Sequence, residues 1–233
     1  VLKSLKIDNE VDEIVIQEIK NKERENALSN LIVQLNFPSE YVKVQRNFKI
    51  ECYDISNIQG AYAVGSMVVA VDGAIKKDLF RKFRIKSTKG PNDYAMLQEV
   101  LRRRLLKSII ENQKIDNMEN DNIDESFAIL PNLIIIDGGK GQLTAAYKIL
   151  LEYNLQQTIP IIALAKREEE IFKLKYQFTE YPIDLNQKDI FERILLPKNS
   201  EELFLIQRIR DETHRFGVSY YRKLSRLKNI EKT

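Results

Sequence analysis

The chain predicts an α/β fold, a mixed sheet flanked by helices, with elements in the order β, β, β, α, β, α, β, α. Three observations carry that expectation. The apolar run 63–71 ends on Asp72-Gly73, a dipeptide that accepts positive φ and so joins antiparallel strands. The run 133–136 is unbroken Leu and Ile, the pattern of a strand covered on both faces. Stretches with a 3.6-residue period separate such runs, as helical crossovers do.

Taken in order, residues 1–47 are charged and helix-prone, with a loose helical period over 12–35 that Pro38 closes, and they read as an amino-terminal helical arm. Residues 48–233 form the main domain. In 48–55, Ile50 and Cys52 alternate with Glu51 and Tyr53, giving a strand that ends near Asp54 before a turn over 56–60. The strand 63–71 and a hairpin partner over 78–86 complete three meandering antiparallel strands. After a Gly-Pro-Asn loop, Asp93 is placed to cap a helix that runs to about residue 110. The acidic, Asn-rich stretch 111–125 has little to bury and reads as a surface loop. Asp137-Gly138-Gly139-Lys140-Gly141 turns the buried strand into a helix over 142–153, and 161–165 is a further buried strand. Insertions at 111–130 and 166–195 are expected to be irregular, with a hairpin as the alternative for the second. Ser200, with Glu201 and Glu202 in the first turn, opens a last helix to about residue 227. Its core side is expected to carry Leu203, Ile206, Ile209 and Phe216.

A length of 233 residues at 43% hydrophobic allows a sizeable core. Cys52, the one cysteine, excludes an internal disulfide and a cysteine-built zinc site, and it suits a reducing, cytoplasmic setting. No apolar run approaches the roughly 20 residues of a membrane span, and the start of the chain lacks the pattern of a secretory signal. Val1 in place of methionine suggests a piece of something longer. The net charge of +3 says little, but its distribution is uneven. Residues 76–107 hold eleven Lys/Arg against three Asp/Glu, and 205–228 hold seven against two. Such blocks suit a polyanion; a solvated face is the other reading.

Candidate chemistry centres on Asp54, Asp137 and His214. Each aspartate closes an apolar run, and strand ends of an open α/β sheet face the crevice where ligands bind. Hard carboxylate oxygens there suit Mg²⁺ or Mn²⁺, with coordination positions left for water and phosphate. An Asx turn explains either aspartate singly, and a lone histidine can be structural. His214, the only histidine, lies in the polar run 207–216 of the last helix, where Arg208, Asp211 and Arg215 share a side with it. The glycines beside Lys140 fit a phosphate cradle or an ordinary tight β-to-α turn; the spacing is not that of a Walker A loop. Of Arg102-Arg103-Arg104, adjacent on a helix and so facing different ways, one or two are expected to touch phosphates.

Four segments together resemble a known family: Glu51-Cys52-Tyr53-Asp54-Ile55-Ser56-Asn57-Ile58-Gln59-Gly60, Asn92-Asp93-Tyr94-Ala95-Met96, Ile135-Ile136-Asp137-Gly138-Gly139-Lys140-Gly141-Gln142-Leu143, and Leu196-Pro197 through Gln207-Arg208-Ile209-Arg210-Asp211-Glu212-Thr213-His214-Arg215-Phe216. They resemble the carboxy-terminal endonuclease region of the UvrC family, the nuclease component of the ABC excinuclease. That resemblance implies a ribonuclease-H-like mixed sheet of three antiparallel strands plus parallel strands, and a metal-dependent endonuclease that uses Mg²⁺ or Mn²⁺. It implies the 5′ incision beside a lesion in damaged double-stranded DNA, with UvrB as partner and UvrA upstream. Asp54, Asp137 and His214 match the family's metal-binding triad, and Asp93 matches a further aspartate implicated in the cut. Lys140, Arg102, Arg103, Arg208, Arg210 and Arg215 are the candidate nucleic-acid contacts. Asn57 stands where the family usually has histidine. The family's GIY-YIG nuclease, its helix-hairpin-helix tail and its UvrB-binding segment are not recognised in this sequence, and the domain is expected to be monomeric alone. Two alternatives stay open: a catalytically weak DNA-binding or scaffold module, and a guide-dependent slicer with a similar triad.

Overall fold

Strand β1 (Lys49–Ile58) organises the molecule because it belongs to both halves of the sheet. A computed structural model describes residues 2–39, 42, 45–58, 62–86, 92–117, 123–166, 169–179, 183–187 and 189–230, with side chains between 13 and 219 except those of 57, 58 and 62. On one side β1 pairs antiparallel with β2 (Tyr62–Val71), and on the other it runs parallel to β5 (Leu133–Asp137). Beyond β5 lie β6 (Ile161–Ala165), parallel, then β7 (Glu170–Leu174) and β8 (Phe191–Ile194), antiparallel. The short β3 (Ala74–Ile75) and β4 (Arg81–Arg84) both pair with β2, completing an eight-stranded mixed sheet.

Alternation divides the core into two layers. Ile50, Cys52, Leu133, Ile135, Ile162 and Leu164 face one side, covered by Leu28, Leu31 and Leu35 of α1 (Leu2–Leu35) and Leu203, Ile206 and Ile209 of α5 (Glu201–Ile230). Tyr53, Met67, Val69, Ile134 and Ile136 face the other, under Leu97, Val100 and Leu101 of α2 (Asp93–Asp116) and Leu143, Ala146 and Leu150 of α4 (Lys140–Glu152). Among the described side chains of α1 only those of the last turns are buried; residues 13–23 are exposed. Among the described residues no helix is long and apolar enough to cross a membrane.

Several elements differ from the sequence expectation. β1 does not stop at Asp54 but pairs with β2 as far as Ile58 opposite Tyr62, because the antiparallel ladder outlasts the parallel one. Of the expected turn 56–60, residues 59 and 60 lie outside the described residues. Asp72 and Gly73 form the expected turn at φ 49° and 72°. Its partner strand, however, is split into β3 and β4 by a 3₁₀ turn, Lys77–Leu79. The cap of α2 is Asn92, whose side chain accepts from the Ala95 amide at 3.1 Å, so Asp93 is the first helical residue.

The acidic stretch is helical as far as Asp116. Glu111 is buried there and held by Lys107 and Lys114, four residues before and three after, at 3.0 and 3.2 Å. Residues 118–122 lie outside the described residues. A short helix α3 (Glu125–Ala128) follows, and the second insertion holds the β7–β8 hairpin. α4 starts at Lys140, where Gln142 Oε1 accepts from the Gly139 amide at 3.1 Å. Ser200 caps α5 by accepting from the Leu203 amide at 3.3 Å.

Arg104 is the largest departure from the basic-block reading. It is 1% exposed, bidentate to Glu51 at 2.7 and 3.1 Å, and donates to the Phe127 and Ile129 carbonyls. Lys49 Nζ stands 3.0 Å from Glu51 and the Tyr53 hydroxyl donates to it at 2.6 Å, so the buried charge is fully enclosed by partners.

Candidate active site

Register brings the two aspartates together. Across β1 and β5, Cys52 lies opposite Ile135 and Tyr53 opposite Ile136, so the next positions along are Asp54 and Asp137. Both continue the face that carries Ile50 and Cys52, Leu133 and Ile135, which is the face α5 covers. Ile206, Ile209 and Thr213 seat that helix on the sheet, each fully buried, and Phe216 packs edge-on to Phe80 at 5.0 Å. His214 follows Thr213 on the turn that passes the acidic pair.

One ligand atom from each of Asp54, Asp137 and His214 lies within 4.8 Å of the others. His214 Nδ1 is 3.6 Å from Asp54 Oδ2, and the Ser56 hydroxyl donates to the same oxygen at 3.0 Å. Both Asp137 oxygens are buried without a hydrogen-bond partner. Lys166 Nζ comes to 3.4 Å of Oδ2, an ion pair by distance but too poorly aimed for a hydrogen bond. Burial, and then the charge of Asp54, push the Asp137 carboxyl above the usual carboxylate range, with Lys166 opposing. Buried carboxylate oxygens that no donor satisfies, beside a second carboxylate and an imidazole, form a donor set that fits a hard or borderline divalent cation.

The site opens into a cleft of about 770 Å³ lined by Asp137, Lys166, Arg210, Asp211, His214 and Arg215, with Val218 and Ser219. Of the predicted phosphate contacts, only Arg210 and Arg215 reach it. Arg210 is engaged by Glu169 and Asp211, and Arg215 by Glu212. Arg208 donates to the Gly73 carbonyl at 2.9 Å and lines a separate cavity against α1. Arg102 pairs with Glu152 at 2.9 Å and Arg103 with Glu99 at 3.1 Å, both on α2, across the sheet from α5. Lys140 Nζ rests 4.9 Å from the Phe172 ring and 5.5 Å from the Phe191 ring, toward the β7–β8 edge. Asp93 is exposed in the first turn of α2 and is not in the three-residue cluster. The Asn57 side chain lies outside the described residues.

Two neighbours of the site escaped the sequence reading. Lys166 follows β6, whose parallel course ends at the same sheet edge as β5. Gly217 sits against Ser56, Ser66 and Asp54, so close that a Cβ would lie 2.7 Å from Ser56 Oγ. A glycine inside a helix costs about 1 kcal/mol against alanine, and that cost is the signal that could have marked it.

A mixed sheet whose central parallel strands present adjacent carboxylates to a crossing helix defines an RNase H-like α/β domain. Comparison with protein families supports that class. The family model described as UvrC RNAse H endonuclease domain matches residues 39–218, and the chain belongs to that family of endonuclease domains. The UvrABC system protein C of Methanosphaera stadtmanae is 39% identical over 203 residues, covering 87% of this chain and 29% of that protein. That of Flavobacterium psychrophilum is 44% identical over 173 residues, covering 74% and 24%. The chain thus spans about a quarter of the length of these relatives. Among solved structures, Ciona intestinalis Endonuclease V in complex with a 24mer DNA containing an inosine followed by a ribo-adenosine aligns at TM-score 0.33 and 15% identity, over 66% of this chain and 58% of that one.

Proposed function

We propose that this domain hydrolyses a phosphodiester bond of DNA, with Asp54, Asp137 and His214 holding one or two Mg²⁺ or Mn²⁺ ions. Within a full-length protein of its family, the reading assigns it the 5′ incision beside a lesion in nucleotide excision repair, in company with UvrB. The observation that carries the reading is the pair of unpartnered Asp137 oxygens beside Asp54 and His214. A divalent ion, when bound, supplies positive charge to the scissile phosphate and favours ionisation of the attacking water. The chain's own groups do the rest. The Ser56 hydroxyl fixes one oxygen of Asp54, and the register of β1 and β5 fixes the spacing of the two carboxylates. Arg210 and Arg215, held by Glu169, Asp211 and Glu212, line the cleft wall where a strand's phosphates would pass. With the 3′ oxygen as leaving group, taking up a proton as the P–O bond breaks, water attack leaves 3′-hydroxyl and 5′-phosphate ends.

Nicking of plasmid DNA in Mn²⁺ tests this. Asp54→Ala and Asp137→Asn are each expected to lower the rate by more than the roughly 10–100-fold that loss of an outer-shell partner costs. Both should keep the wild-type far-ultraviolet circular dichroism. Cutting retained in either variant, or undiminished in chelator, would rule the assignment out.

A further inference from the structure

The cleft holds three described cations, and they are not equivalent. Arg210 is bound by Glu169 and by Asp211 at 2.9 Å, and Arg215 by Glu212 at 2.5 and 2.7 Å, so each guanidinium already spends donors on a carboxylate. Lys166 is different. Its side chain is 59% exposed, and its contact with Asp137 at 3.4 Å lacks hydrogen-bond alignment. Near a protein surface a unit-charge pair about 4 Å apart gains about 4 kcal/mol before desolvation is subtracted, but here no hydrogen bond fixes the ammonium and most of its side chain stands in solvent, so the contact can exchange. The ammonium and a divalent ion would also repel each other at one carboxylate, which makes them competitors for Asp137.

We propose that Lys166 is a phosphate ligand whose availability is set by Asp137: cation binding to the carboxylate displaces the ammonium into the cleft, where it takes a phosphate of the bound strand. Ion and nucleic acid would then bind with positive coupling, since each favours the same position of one side chain. The inference rests on the metal-dependent reading given above. A lysine suits the task because its charge sits on a flexible four-carbon stem and needs no fixed fork geometry.

Two titrations of the 233-residue chain test it. The first follows Mn²⁺ binding by electron paramagnetic resonance; the second follows affinity for a short fluorescent duplex across a salt series, in Mn²⁺ and in chelator, with the duplex checked for integrity on a gel. Lys166→Met is expected to bind Mn²⁺ roughly three- to tenfold more tightly, because a competing charge is gone. In Mn²⁺ the same change should reduce the slope of log affinity against log salt by about 1, the loss of one phosphate contact. In chelator the reduction should be less than half of that. Lys166→Arg should keep the wild-type slope in Mn²⁺. Unchanged or weaker Mn²⁺ binding by Lys166→Met, or an equal slope change with and without the ion, overturns the coupling. Asp137→Asn separates the two levels. If it loses Mn²⁺ while Lys166→Met matches wild type in both titrations, the coupling alone is wrong; if it binds Mn²⁺ normally, the metal reading fails and the coupling with it.

Discussion

At the scale of the residue, Gly217 decides how closely α5 approaches the acidic pair. Its missing side chain leaves room for the hydroxyls of Ser56 and Ser66, which a Cβ would meet at 2.7 and 2.9 Å, with Asp54 Oδ2 at 3.5 Å. Alanine ordinarily stabilises a helix interior by up to about 1 kcal/mol over glycine, whereas overpacking a tight contact costs about 1–3 kcal/mol. The second effect should win here. Gly217→Ala is therefore expected to lower the urea midpoint and to weaken Mn²⁺ binding, because the Ser56 donation to Asp54 is disturbed. An unchanged midpoint with an unchanged titration would mean that both hydroxyls turn aside freely. Asp54, Asp137 and His214 were legible in the sequence because two close apolar runs and the third is a unique residue type on a polar helix. Gly217 and Lys166 were not, since their importance lies in what stands across from them.

At the scale of the element, the arginine block of α2 shows why local charge misleads. Three adjacent helical positions point three ways, so one had to face the core; Arg104 does, while Arg102 and Arg103 close ion pairs with α4 and with their own helix. Sequence periodicity marked the helix but not which arginine was inside. Breaking such a buried pair costs about 3–5 kcal/mol; Arg104→Met leaves Glu51 with only Lys49 and Tyr53 and strips donors from the Phe127 and Ile129 carbonyls, and it should show that loss in urea unfolding at neutral pH. The pH dependence has a definite sign. Burial alone would raise the Glu51 carboxyl, but Arg104, Lys49 and the hydrogen bonds outweigh it and hold the group below its ordinary range. That stabilisation is present above the unfolded value, about pH 4.3, and is lost as pH falls through the depressed folded value. In Arg104→Met the carboxyl is free to protonate, so the gap between variant and wild type should narrow from about pH 7 toward about pH 4. A gap that widens on acidification would contradict the role given to the pair.

At the scale of the whole molecule, the fold joins residues far apart in sequence by two devices, a parallel register and a helix laid across it. Runs 133–136 and 161–165 announced the parallel strands, and Ser200 announced the helix, but nothing in the sequence set the register that makes Asp54 and Asp137 neighbours. That register has a cost. Two carboxylates side by side, one of them buried without a donor, repel each other, and a bound cation would relieve that repulsion. Stability and ion binding are therefore linked. An ion that binds the native state alone adds about 2.7 kcal/mol at a hundred times its dissociation constant, and for a chain of this length each kcal/mol moves the melting temperature by about 2–4 °C. Saturating Mn²⁺ should thus raise the wild-type melting temperature by about 5–11 °C over chelator. Asp137→Asn should melt at least as high as wild type in chelator, because a repelling charge is gone, and should gain little from Mn²⁺. Calorimetry of both proteins in both buffers checks this, and an equal Mn²⁺ gain in the variant would show that the ion stabilises the chain from somewhere other than the Asp54, Asp137 and His214 cluster.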